Sequence, residues 1–175
     1  MNSSMTPKSP QELLHVLDQE GVRYQLFHHP PIYTVEDALR ERGELQGSYV
    51  KNLYLRDRRG EMLLVVCLNQ REVNLQRLRR GIGYKRLSFA SAERLMSDLG
   101  VRPGSVSPLA LINTHPGALS VYADQSLRAQ TLINFHPLTN EMTVQLPLED
   151  WIRLCEGWGF EIEWINFDRL PEEDS

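Results

Sequence analysis

Cysteine is scarce in this chain: 175 residues contain two, Cys67 and Cys155, far apart and each in apolar surroundings. With no CxxC and no Cys/His pairing at zinc-finger spacing, neither a disulfide framework nor a metal module is in prospect, and both thiols are expected to be reduced core residues. No window approaches the roughly 18 apolar residues of a membrane span. The start, Met1 to Pro10, is polar rather than a basic segment followed by an apolar one, so a cytoplasmic protein with no membrane partner is expected. Positive charge is not in surplus either, since 19 Lys and Arg face 23 Asp and Glu for a net charge of −4. That balance argues against a protein that coats nucleic acid nonspecifically, and no DNA partner is expected. Also missing are a Gly-x-Ser-x-Gly elbow, a His-Glu-x-x-His pair, a P-loop and a dinucleotide-binding glycine fingerprint, so no cofactor is expected.

What is present reads as one ordinary globular domain, 41% hydrophobic and 24% charged, long enough to bury a core unaided. Ser9 and Pro10 open an amphipathic helix that carries Leu13, Leu14 and Leu17 and stops at Gly21. A strand over 23–28 leads into the constrained loop HHPPIY, after which Thr34 to Asp37 resembles a capping box opening a helix to about Arg42. Residues 49–56 and 61–68, joined by the turn Asp57 to Gly60, read as a β-hairpin whose second strand is buried on both faces. Asn74 and Ser91 each cap a short helix, ending near Gly81 and Gly100. Strands are expected at 109–113, 119–123, 131–135, 142–146 and 161–167, with a helix marked by Leu148, Trp151, Ile152 and Cys155 before the last. Hairpins without regular βαβ alternation predict an α/β (α+β) fold: a central mixed, mostly antiparallel sheet flanked by helices. The expected boundaries are a flexible start at 1–8, the domain at 9–168 and an acidic tail at 169–175.

Four segments carry groups capable of chemistry. Lys51 and Asn52 fall in the middle of an apolar strand, where the lysine either faces solvent or, if inward, must find a partner or lose its charge. Gly104, Ser105, Val106, Ser107 and Pro108 form a loop of small residues whose backbone N–H groups could converge on one anionic atom, as in an oxyanion hole. Asn113 follows shortly after. Phe135, His136 and Pro137 place a histidine at a strand end, where it could line a pocket. His28 and His29 point to opposite faces of a strand, so a shared metal is not expected. Arg77, Arg79, Arg80, Lys85 and Arg86 make a basic cluster within eleven residues, which is either a solvated helix face or a binding surface.

The motifs VKNLYLRDRRG, LSFAS, PGSVSP, ALIN and FHP, in this order and spacing, resemble the YbaK and prolyl-tRNA synthetase insertion-domain superfamily. Within it the resemblance is to the free-standing alanyl-tRNA(Pro) deacylases, the PrdX-like prolyl-tRNA editing proteins, and it covers about residues 22–151. It implies a compact YbaK-like domain with a partly barrel-like sheet that hydrolyses the ester between an amino acid and the 3′ adenosine of mischarged Ala-tRNA(Pro). By position, Lys51 and Asn52 match the family's Lys-Asn pair, Gly104 and Pro108 its Gly-x-x-x-Pro loop, and His136 its strand-end histidine. Lys51 then suits a phosphate of the tRNA end, because the substrate's α-ammonium would repel it. Asn52 and His136 are left to hold the α-amino group or the attacking water. Ile32, Tyr33, Leu53, Asn113 and Phe135 become candidate walls of the amino-acid pocket, and the 77–86 cluster a candidate contact for the acceptor stem. Prolyl-tRNA synthetase and an elongation factor are conceivable partners beside the tRNA. Two other readings remain open: a deacylase for Cys-tRNA(Pro) or another mischarged tRNA, and a catalytically silent tRNA-binding or regulatory module.

Overall fold

The computed structural model describes residues 6–33, 36, 37, 40 and 47–172. Its elements in order are α1 (Pro10–Gln19), β1 (Gln25–His28), β2 (Ser48–Asp57), β3 (Met62–Leu68), α2 (Leu75–Ile82), β4 (Leu87–Phe89), α3 (Ala92–Leu99), β5 (Ser120–Asp124), β6 (Leu132–Phe135), β7 (Met142–Pro147), α4 (Leu148–Gly157) and β8 (Ile162–Ile165), with short 3-10 turns between some of them. The capping box expected at Thr34 and the reach of that helix to Arg42 lie outside the described residues.

The strands form one mixed sheet in the order β1-β7-β6-β2-β3-β5-β8, with β4 added to β2. Four pairings are antiparallel, β1 with β7, β2 with β3, β2 with β4 and β6 with β7; β2 with β6, β3 with β5 and β5 with β8 are parallel. The apolar run in β3 has a direct cause. Met62, Leu64 and Val66 enter a core with α1, α3 and α4, whereas Leu63, Val65 and Cys67 enter a second core beneath α2. A strand covered by helices on both faces has no solvent side on which polar residues could alternate. Cys67 and Cys155 are buried free thiols, and burial pushes both up to about 12.

One expected strand is absent. Residues 109–113 form a 3-10 helix, Pro108–Asn113, because Pro108 occupies its first turn and the Ser107 hydroxyl accepts from the Leu109 amide at 3.1 Å. A proline at a helix start and a capping serine before it favour a helical turn over a strand. Leu109, Ala110 and Leu111 are fully buried there, so the apolar run signals burial and not strand geometry. The last strand ends at Ile165, and Phe167 belongs to a further 3-10 turn.

The strand β2 is shared between two edges. Its start pairs with β6 through Ser48 and Tyr49, and its end pairs with β4 through Leu55 to Asp57. On that edge the stretch from Val50 to Leu53 has no strand beside it among the described residues. The gap is where the sheet opens a cavity, much as ligands settle at switch points of open sheets.

Candidate active site

A cavity of 320 Å³ occupies this gap, lined among others by Ile32, Tyr33, Lys51, Asn52, Gly104 and His136. Four segments distant in sequence thus meet: the 28–33 loop, the middle of β2, the 104–108 loop and the end of β6.

The register of β2 decides what Lys51 and Asn52 can do. Asn52 stands opposite Val66 and Lys51 opposite Cys67, so the two side chains leave the strand on opposite faces. Asn52 crosses to the 104–108 loop, where its Nδ2 donates to the Val106 carbonyl at 3.1 Å. A carbonyl only accepts, so this bond fixes which end of the amide is which. The other end, Oδ1, is buried without a hydrogen-bond partner. A buried acceptor left unsatisfied costs about 1–3 kcal/mol. Lys51 instead sends its ammonium to the Arg71 carbonyl. That carbonyl is held by a network in which the Arg71 guanidinium engages Asp124, Asp168 and Ser126.

His136 is fixed by a contact of its Nδ1 with the Met142 carbonyl at 3.0 Å. The carbonyl requires Nδ1 to carry the proton, which leaves Nε2 as an acceptor in the neutral ring. Burial holds the ring below the usual histidine range. His29 packs edge-on at 6.1 Å between ring centroids, with Nδ1 on the Pro30 carbonyl and Nε2 on the Thr143 hydroxyl at 2.8 Å.

The 104–108 loop is only partly the donor array expected. Gly104 and Val106 face the cavity, but the Ser105 amide closes a turn on the Arg102 carbonyl at 3.0 Å and so is removed from any oxyanion role. The Ser107 hydroxyl is spent on its cap, and Ser105, Ser107 and Pro108 are buried behind the wall. Gly104 is required for its φ of +90° more than for space, since a Cβ there would meet neighbours no nearer than 3.6 Å.

Several expected wall residues are placed elsewhere. Leu53 follows the face of Lys51 and packs on the second core. Phe135 does border the cavity, but its side chain is 2% exposed and lies against Trp151 at 5.3 Å, on the core side of β6. Asn113 bridges the Leu99 carbonyl and the Lys8 amide, both at 2.9 Å, which ties the segment before α1 to the end of α3. Ile32 does line the cavity, and Tyr33 stands at its rim.

The polar wall itself was missed. Asn134 of β6 and Thr143 of β7 line the cavity, and Gln145, two residues after Thr143 on the same face and paired with Asn134 across the strands, donates to Asn134 from behind at 3.4 Å. The signal was available as alternation: Asn134-x-His136 and Thr143-x-Gln145 each put two polar residues on one strand face between buried apolar ones.

The basic cluster divides into two kinds. On α2, Arg77 donates to the Leu170 and Pro171 carbonyls at 2.8 and 3.1 Å and lies 3.6 Å from the Glu172 carboxylate. Arg80 donates to the Glu172 carbonyl, and Arg79 to Gln76 at 2.6 Å. The acidic tail is therefore docked on α2 as far as Glu172; residues 173–175 lie outside the described ones. Lys85 and Arg86 are exposed. With Arg58 and Arg59 of the β2–β3 turn, Lys85 rims a second, open concavity of 670 Å³.

Comparison with known proteins places the chain in a family. A family model described as the aminoacyl-tRNA editing domain matches residues 29–154. The chain is 33% identical over 156 residues to the prolyl-tRNA editing protein ProX of Acetoanaerobium sticklandii, covering 89% of this chain and 95% of that one. It is 30% identical to prolyl-tRNA synthetase associated domain-containing protein 1 of Bos taurus, covering 90% and 97%. A solved structure whose description proposes a trans-editing enzyme for prolyl tRNA synthetase superposes with a TM-score of 0.68 at 19% identity, over 90% of this chain and 96% of that one, and shares the fold.

Proposed function

Because the chain belongs to the aminoacyl-tRNA editing domain family, we propose that it is a free-standing hydrolase of mischarged proline tRNA, which releases alanine from the tRNA 3′ end. The names of the relatives support the tRNA and the class of reaction. The observation that carries the chemistry is the buried, unpartnered Oδ1 of Asn52 beside a small cavity. An aminoacyl ester brings an α-ammonium group, the donor such an acceptor lacks, and a hydrogen bond to a charged group contributes about 1.5–3 kcal/mol.

With the ammonium on Asn52, the ester carbonyl lies toward Gly104 and Val106, and the neutral Nε2 of His136 accepts a hydrogen bond from the attacking water or the neighbouring ribose hydroxyl. Water oxygen adds to the ester carbon and the bond to the ribose oxygen breaks. One water proton passes to that oxygen, leaving free alanine and a tRNA with its 3′ hydroxyl. The ester is already activated, so positioning and polarisation suffice and no acyl-serine is needed. The spent hydroxyl of Ser107 supports that reading. Alanine is selected by size: Ile32 in the cavity lining serves as the wall that excludes the larger proline, a stronger discrimination than methylene-by-methylene affinity offers. Lys51 serves the tRNA end, exchanging the neutral Arg71 carbonyl for a phosphate, which makes a stronger, charge-assisted bond.

The test is loss of label from Ala-tRNA(Pro), Cys-tRNA(Pro) and Pro-tRNA(Pro) with the wild type and Lys51→Ala. Alanine should be cleared and proline retained, with clearance falling at least about tenfold in the variant. Clearance of cysteine instead would change the substrate. Intact tRNA binding with no clearance would make the protein a binding module.

A further inference from the structure

The cavity accounts for the aminoacyl group and its ribose, but at 320 Å³ it lies at the small end of ligand sites, about 300–1,000 Å³. The base of the terminal nucleotide therefore rests at the mouth, where its planar faces need cover from water. Three large hydrophobic side chains are exposed among the described residues, Tyr33 at 73%, Phe89 at 64% and Met96 at 44%, and of these Tyr33 alone borders the cavity. Its backbone is held in place. The Tyr33 amide donates to the Asp37 carboxylate at 3.2 Å, and Ile32 before it exchanges two bonds with Asn140, amide to carbonyl at 3.3 Å and Asn140 Nδ2 to the Ile32 carbonyl at 3.2 Å. The ring lies beside Gly104, where an added Cβ would sit 3.7 Å from the Tyr33 Cδ1.

An exposed aromatic ring on an anchored backbone, beside a site for the ester, has the form of a stacking platform, because every nucleobase presents a π-face that an aromatic side chain can cover. We propose that Tyr33 stacks on the base of the substrate's 3′-terminal nucleotide and so orients the ester into the cavity. This rests on the deacylase reading, but its test does not require turnover.

The probe is an uncharged RNA hairpin copying an acceptor stem with a CCA end, bound to the full chain and followed by fluorescence anisotropy. A second hairpin carries an abasic 3′-terminal residue. Tyr33→Phe should bind the first hairpin as the wild type does, and Tyr33→Ala about tenfold more weakly. On the abasic hairpin, wild type and Tyr33→Ala should bind alike. Equal binding of the CCA hairpin by wild type and Tyr33→Ala overturns the proposal, as does an equal loss on both hairpins or a wild type indifferent to the terminal base. A wild type that binds in this Tyr33-dependent way yet hydrolyses no ester would sink the deacylase reading and leave the platform standing.

Discussion

The cavity wall and the basic helix α2 are both polar, and they use their polar groups in opposite ways. Around the cavity the groups are fixed at one end and left without a protein partner at the other: Asn52 holds Val106 by Nδ2 and keeps a buried, unpartnered Oδ1, and His136 holds Met142 by Nδ1 and keeps Nε2. On α2, Arg77 turns its donors to the chain's own residues 170–172. Fixing one end of a side chain pre-organises the other for a ligand, whereas spending it on the chain makes it a structural tie. Charge alone would have ranked the helix first, and geometry ranks the cavity first.

The largest effect is expected at Asn52. Asn52→Ala removes the proposed seat of the α-ammonium and the bond to the 104–108 loop together, and kcat/KM for Ala-tRNA(Pro) should fall on the order of 100-fold. Single-turnover assays on the purified variant, with its thermal melting recorded alongside, read this directly. A loss within threefold at unchanged stability would show that the orphan acceptor has no part in the reaction.

A smaller effect sharpens the other side. If cations without an internal partner are the ones that meet RNA, Arg58→Ala with Arg59→Ala should weaken tRNA binding about tenfold and lower the salt slope by about 2, each arginine accounting for about one released counterion. Arg77→Ala should leave the slope nearly unchanged. The reverse ranking, measured by binding titrations at several salt concentrations, would return α2 to the interface and make the β2–β3 turn a solvated surface.

Much of the fold was legible because its signals are local. Ser9, Asn74 and Ser91 cap helices as their side chains predict, and the turn from Asp57 to Gly60 joins the hairpin. The strand expected at 109–113 failed because an apolar run reports burial without geometry, and the capping serine and proline ahead of it weighed more. At the site, the sequence pattern pointed to Lys51, Asn52, Gly104, Phe135 and His136, which line the cavity, and also to Leu53 and Asn113, which do not. Leu53 is a matter of face, since it follows Lys51 to the second core. Phe135 borders the cavity but turns its side chain to the core side of the strand whose Asn134 faces the cavity. Asn113 is a different case, since its partners Lys8 and Leu99 are joined by tertiary docking that no spacing encodes. The tie between Arg77 and residues 170–172 spans more than ninety positions and was invisible for the same reason.

That tie gives the smallest effect. Glu172, docked on α2, brings negative charge to the helix that carries Arg77, Arg79 and Arg80, and Glu173 and Asp174 follow it in the sequence. Leu170 also anchors the docked segment, since a Cβ at Gly81 would meet Leu170 Cδ2 at 2.5 Å; the substitutions must therefore spare Leu170 and change charge alone. Glu172→Gln, Glu173→Gln and Asp174→Asn together leave the backbone contacts of Arg77 in place and remove the local repulsion of an approaching RNA. Exposed ion pairs contribute little, about 0.2–1 kcal/mol, so tRNA affinity at low salt should rise only about 1.5- to 5-fold, and the gain should vanish as salt screens it. A gain that persists at high salt would mean that the tail blocks the RNA by its bulk and not its charge. No gain at any salt would mean that bound RNA lies too far from α2 to feel the charge of the tail, and that the arginines of α2 serve only to hold the end of the chain.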